Sequence, residues 1–458
     1  MPRFSRRRNG LRVSWKTRLI AAIPRPLRPW WDRIEQSPWG TRLARGAFWS
    51  VTGGVVARGL SLLASILLAR ILGKDVFGEL GTVQSTIGMF TVFAGLGMGL
   101  TATKHVAEFR LKDPARAGRI ITLSNRIAFW ASIVVALAMF ASASGLASAV
   151  AAPHIAPALR IAALSLFLNG ISGAQTGALA GLEAFRTIAG LNFITGVVSF
   201  PLLVAGALWR GIEGSIGAMA ATAAVGYVVN HFALRRELAR AGIPQGEPWQ
   251  RADLPLLWSF ALPSGLAMLM VGPVHWACCA ILMNQPGGSG EMGAFNAANQ
   301  WYTALMFLPA LLGQSVLPMM AEQLGAAGKR QSLQLLRLSM KLNACTALPV
   351  VVLCLASPWI MALFGPNFAH EWPTLVAVLV TAALLAVQIP VGQMIIASGN
   401  IWPGFWMNVG WAIVCLAGSW ALAGWGALGL ATARLVAYTA HAVWTIWYAF
   451  RLLRTESP

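Results

Sequence analysis

The chain has 458 residues, 57% of them apolar and only 11% charged, with a formal net charge of +20. A soluble domain carries about a quarter charged residues to keep its surface wet, so this composition excludes a soluble protein and specifies a membrane one. Most of the basic excess sits in short segments between apolar runs, which argues against nucleic acid as a partner and for membrane lipids.

The chain opens on a basic tail, residues 1–45, with twelve Lys and Arg residues. It lacks an apolar run long enough for a cleaved signal peptide. It reads as a cytoplasmic segment held at anionic headgroups, with Trp30 and Trp31 dipping into the interface; a docking segment for a partner protein is the alternative. Twelve apolar stretches follow, each long enough to cross a bilayer: 46–73, 80–103, 120–142, 156–182, 187–209, 214–234, 254–283, 294–320, 343–363, 373–397, 402–422 and 425–450. The pairs 156–182/187–209 and 402–422/425–450 are joined by a few residues and should form hairpins. The expected fold is an all-α polytopic membrane protein with about twelve transmembrane helices in two pseudo-symmetric six-helix lobes. Residues 46–240 form the N-terminal lobe, 241–253 a cytoplasmic linker, 254–450 the C-terminal lobe and 451–458 a cytoplasmic C-terminus.

Orientation follows from Lys and Arg placement. Twenty-eight of the 35 lie on the side of the termini, and only Lys74 and Arg210 lie in the opposite connections. The excess places both termini in the cytoplasm. An internal repeat supports the two lobes. At an offset of 215 residues, 46–141 overlays 261–356 without gaps, and Gly78 meets Gly293. Such a parallel repeat relates two halves by an axis along the membrane normal. Pro201, Pro263, Pro273, Pro309, Pro318, Pro349 and Pro390 interrupt spans and mark expected kinks backed by neighbouring helices or a cavity. Bent helices in two lobes suit a transporter that rocks about a central site.

All fifteen acidic residues lie in the tail, in connections or at span ends. A cation exporter usually holds its cargo on a buried carboxylate, and none is offered at mid-depth. The remaining five basic residues, Arg58, Arg70, Arg126, Arg160 and Arg434, lie within spans. Arg70, Arg126 and Arg160 are close enough to span ends to snorkel to headgroups. Arg58 lies about 20 Å along the helix from Arg45, near mid-depth, and is the leading candidate for a hydrated cavity. Arg434 shares a helix face with His441, so both a packed pair and a substrate contact fit. Asn296, Gln300, Thr303 and Gln314 recur at helical spacing in the eighth span, with Gln84 and Thr91 a weaker echo in the second. Such a stripe lines a cavity or bonds neighbouring helices. His275, beside Trp276, suits a structural hydrogen bond better than a proton site. The candidate substrate-contacting set is therefore Arg58, Arg434, Arg126, Gln84, Asn296, Gln300, Thr303, Gln314 and His275. The five cysteines all fall in apolar runs, without the spacing of a metal site or disulfide framework. Without GxSxG, HExxH or P-loop signatures, no cofactor, metal or catalytic residue is expected.

The stretch "LLARILGKDVFGELGTVQSTIGMFTVFAGLGMGLTATKHVAE" (67–108) resembles the N-terminal signature of bacterial polysaccharide flippases, the polysaccharide transporters of the multidrug/oligosaccharidyl-lipid/polysaccharide exporter superfamily. "GLEAFR" and "ASGNIWPG" fit that family's later turns, while the long basic tail departs from it. The resemblance implies twelve helices, alternating access and a lipid-diphosphate-linked oligosaccharide as cargo. Other polysaccharide-assembly proteins are possible partners. The alternatives are an ion-coupled drug or organic-cation antiporter of the same superfamily, and a membrane glycosyltransferase or polymerase. The first lacks its buried acid here, the second an aqueous catalytic region.

Overall fold

The computed structural model describes residues 40–246, 250, 270–313, 320, 329–398 and 401–454. Among them every regular element is helical: α1 (Gly40–Gly95), α2 (Met98–Phe109), α3 (Pro114–Ala149), α4 (Ala156–Gly181), α5 (Phe185–Ala241), α6 (Val271–Met283), α7 (Gly288–Leu305), α8 (Lys329–Thr346), α9 (Leu348–Leu355), α10 (Ser357–Phe364), α11 (Trp372–Ala397), α12 (Ile401–Ala421) and α13 (Gly426–Arg454). Six helical stretches are long and apolar enough to cross a membrane, and α12 with α13 forms a further bent pair. The chain is thus a multi-pass all-α membrane protein.

Two of these helices are folded back on themselves. α5 has 57 residues, about 85 Å if straight, against a hydrocarbon core of about 30 Å. It breaks at Arg210 and Gly211, whose φ of 54° only glycine adopts readily. Across the break Gly206 and Gly214 face each other, each with its backbone where the other's β-carbon would be, so the limbs fold back as a hairpin. α1 breaks at Gly73 (φ 79°). Its first limb runs antiparallel to α7, Gly54 abutting Phe307 just past that helix, while its second runs parallel to α7, Gly78 abutting Gly293 and Gly81 abutting Asn296. The expected hairpins are present: α4 turns into α5 through Glu183, and α12 packs antiparallel on α13, Gly418 against Ala433 and Gly410 against Trp444. Pro349 coincides with the break between α8 and α9, whereas Pro201 and Pro390 sit inside continuous helices. Pro263 and Pro318 lie outside the described residues.

In lipid, helices gain little from the hydrophobic effect between them and depend on close packing of small residues. The cores accordingly meet at Gly and Ala: Gly99 on Gly177 joins α2 to α4, and Gly170 on Ser132 joins α4 to α3. The halves before and after residue 250 meet at the end of the bundle away from Gly40 and Arg454, here termed the distal end. There Gly78 packs on the Ser289 carbonyl and Gly293 on the Lys74 carbonyl. Residues 78 and 293, and 74 and 289, are each 215 apart, so the two contacts are exchanged by the sequence repeat. Phe77 packs edge-on to Phe368 with centroids 6.2 Å apart and lies 6.3 Å from Phe364, carrying the seal outward. Four polar bonds reinforce it: Lys74 Nζ to Glu371 Oε1 (2.5 Å), Arg70 Nε to the Leu363 carbonyl (2.6 Å), Asn284 Nδ2 to the Ala149 carbonyl (2.8 Å) and Asn296 Nδ2 to the Phe77 carbonyl (3.2 Å).

Candidate functional site: a cavity between the halves

Immediately behind this seal lies a cavity of about 430 Å³, within the range of small-ligand sites. The second limb of α1 supplies Gly81, Gln84, Ser85 and Gly88; α6, α7, α12 and α13 supply the other walls. Gly81 lets α1 approach α7 here, since a β-carbon would lie 2.7 Å from Asn296 Cγ. On α7, Asn296, Asn299, Gln300 and Thr303 all line the space, so this side of the helix presents four polar side chains. Gln300 Nε2 donates to Asn296 Oδ1 at 3.3 Å, and Thr303 Oγ1 to the Asn299 carbonyl at 3.0 Å. No Asp or Glu is among the lining residues.

The one cationic lining residue is Arg434, which is 9% exposed. It lies eight residues into α13, about 12 Å from the distal end. Its guanidinium stands 4.0 Å from the Tyr302 ring centroid and 5.9 Å from that of Tyr438, and Nη1 donates to Asn299 Oδ1 at 2.8 Å. Cys278 and Cys415 also line the cavity, their sulfurs 3.7 Å apart.

Six expected positions, Gln84, His275, Asn296, Gln300, Thr303 and Arg434, therefore border one space. His275 Nε2 lies 3.8 Å from Cys279 Sγ, and neighbouring Trp276 bridges the halves by donating to Thr86 Oγ1 at 3.0 Å. Arg58 and Arg126 do not border the cavity; both are exposed. Arg58 lies one turn beyond Gly54, on the side of α1 that meets Phe307. Gln314 lies outside the described residues. The shared face of Arg434 and His441 does not make them a pair. His441 Nδ1 instead lies 2.6 Å from Gln388 Nε2 on α11, which also donates to Thr445 Oγ1 at 2.9 Å. Asn299, Tyr302, Tyr438, Cys278 and Cys415 were not among the expected positions. A composition signal existed for two of them, because the chain has only four tyrosines and two flank the buried arginine.

The family described as polysaccharide biosynthesis protein matches residues 43–324, more than half of the chain. The chain belongs to this family. Among relatives of this polysaccharide biosynthesis protein, the EPS I polysaccharide export inner membrane protein EpsE of Ralstonia nicotianae is 27% identical over 400 residues, covering 84% of this chain and 88% of that protein. The succinoglycan biosynthesis transport protein ExoT of Rhizobium meliloti is 24% identical over 433 residues, covering 91% and 81%. Among solved structures, a multidrug resistance MATE family transporter of the MOP superfamily in its inward-facing conformation aligns with a TM-score of 0.68 at 16% identity, over 87% of this chain and 96% of that one. The lipid II flippase MurJ, in an inward closed conformation, aligns with a TM-score of 0.67 at 12% identity, over 87% of each chain. At such identities the likeness establishes the fold, which is of the MOP type.

Proposed function

We propose that this polysaccharide biosynthesis protein is a flippase: it carries a lipid-diphosphate-linked oligosaccharide from the cytoplasmic to the periplasmic leaflet of the inner membrane, by alternating access, for exopolysaccharide assembly. The two relatives named for polysaccharide export and transport support the pathway class, and the MOP fold supports the movement. The observation that carries the reading is the cavity. It abuts the seam between the halves, is closed at the distal end by paired glycine contacts, and is lined by neutral polar groups and one guanidinium without a carboxylate. That lining suits sugar hydroxyls and an anionic group, and it disfavours the organic cations of an antiporter. The Lys and Arg bias supports a periplasmic distal end and cytoplasmic termini.

The protein acts by moving its cargo and makes or breaks no glycosidic bond. The membrane potential assists. A diphosphate diester carries about two negative charges, each gaining about 2.3 kcal/mol per 100 mV on crossing a full inside-negative field.

The test is a deletion strain assayed for surface polysaccharide and for the leaflet holding the lipid-linked precursor. Loss of surface polymer with precursor retained in the cytoplasmic leaflet is expected. Normal polymer, or a sugar-transfer product formed by the purified protein, would overturn the reading.

A further inference from the structure

Arg434 stands apart from the other four arginines of the spans. Arg58, Arg70, Arg126 and Arg160 are exposed, whereas Arg434 is more than nine-tenths buried and borders the cavity. Burying a charge is expensive unless a counter-charge or a full set of hydrogen bonds compensates it. Here the compensation is polar and aromatic: one amide oxygen from Asn299, the rings of Tyr302 and Tyr438, and hydrogen bonding to both tyrosine side chains. Asn299 takes one of the five guanidinium donors and the Tyr302 and Tyr438 side chains engage others, which holds the group in place and leaves the rest of its fork toward the cavity. No carboxylate lines the cavity to supply the negative charge. A planar fork held by three neighbours and facing a cavity of about 430 Å³ is the arrangement that receives a two-oxygen anion edge-on.

We infer that Arg434 is the oxyanion-binding residue of the cavity, taking a phosphate or sugar carboxylate of the cargo bidentately, with Tyr302, Tyr438 and Asn299 as positioning residues. The inference rests on the flippase reading only for the source of the anion. It places that contact about 12 Å from the distal end, beyond the level of Arg58.

Binding is measured by calorimetry on the purified full-length protein with three probes: inorganic pyrophosphate, glucuronate and, as the neutral control, glucose. At least one anion should bind, and Arg434→Gln should weaken it about tenfold or more while Arg58→Gln and Arg126→Gln leave it within about twofold. Arg434→Lys keeps the charge without the fork and should fall between. Tyr302→Leu, which leaves the arginine in place, should also weaken anion binding and serves where Arg434→Gln fails to fold. Preference for pyrophosphate assigns the site to the lipid-linked diphosphate; preference for glucuronate assigns it to an acidic sugar. Binding of neither anion, or anion binding unchanged in Arg434→Gln and Tyr302→Leu, overturns the inference. So does full polysaccharide export by an Arg434→Gln strain whose protein has lost the anion. The flippase reading fails separately: if the deletion strain makes normal surface polymer while the purified protein still binds pyrophosphate through Arg434, the site stands and the cargo does not.

Discussion

Adding a methyl group at Gly78 should open the distal seal. The new β-carbon would collide with the Ser289 carbonyl oxygen and lie 2.6 Å from the Gly293 nitrogen, closer than real β-carbons approach backbone atoms. Both atoms belong to α7, so a side-chain rotation cannot relieve the clash and the halves must separate. Overpacking of this kind costs about 1–3 kcal/mol, which the sealed state alone bears, so its population relative to an opened state should fall by about 5–150-fold. The cavity thiols report the change. In a background with Cys345→Ser and Cys354→Ser, a membrane-impermeant thiol reagent added outside whole cells should modify Cys278 and Cys415 faster in Gly78→Ala than in the parent. Gly293→Ala, which would meet the Lys74 carbonyl, should do the same by the pseudo-symmetry of the contact. Gly59→Ala is the control, since a β-carbon there has no atom within 4 Å. Unchanged labelling in both Gly78→Ala and Gly293→Ala would refute the seal; faster labelling only from the cytoplasmic face, which inverted vesicles expose, would reverse the orientation.

Glu371→Gln should act on the same seal far more weakly. Both side chains of the Lys74–Glu371 pair are about one-fifth exposed, so the pair is worth at most about 1 kcal/mol and thiol labelling should rise less than about fivefold; a larger rise would mean the ion pair, not the glycines, holds the halves. Copper–phenanthroline oxidation should join Cys278 to Cys415, whose sulfurs are 3.7 Å apart on two helices of the same half, and export should survive on the proposed mechanism, in which each half moves as a body. Loss of export on this cross-link, reversed by reductant, would show that α6 and α12 must shift against each other. Arg58→Ala should insert at wild-type abundance, because removing a charge eases burial in lipid, while export falls; wild-type export would assign Arg58 a structural role.

Much of the fold was legible because hydropathy in a membrane is read directly as span length. The offset of 215 was legible too, and it reappears as paired contacts at residues 74, 78, 289 and 293. Breaks were harder. Pro349 ends a helix while Pro201 and Pro390 do not, since a freed carbonyl is tolerated wherever a neighbouring helix can satisfy it. The start of α2 after Leu96 (φ 41°) and Gly97 (φ 69°) carries no proline at all.

The site divides along the same line. Asn296, Gln300 and Thr303 were legible because one helix carries them and the period of the helix puts them together. The environment of Arg434 was not, because its amide partner Asn299 lies 135 residues away on α7. Depth counted along a helix ranks Arg58 first, yet depth measures only distance from the headgroups. What separates the two arginines is lateral: α13 turns Arg434 between Tyr302 and Tyr438, while α1 leaves Arg58 exposed one turn from Phe307. A charge can remain exposed at that depth only where water or a polar partner reaches it, so Arg58 marks where the cleft between the halves should be wet, and Arg434 marks where an anion would have to shed its water to be held.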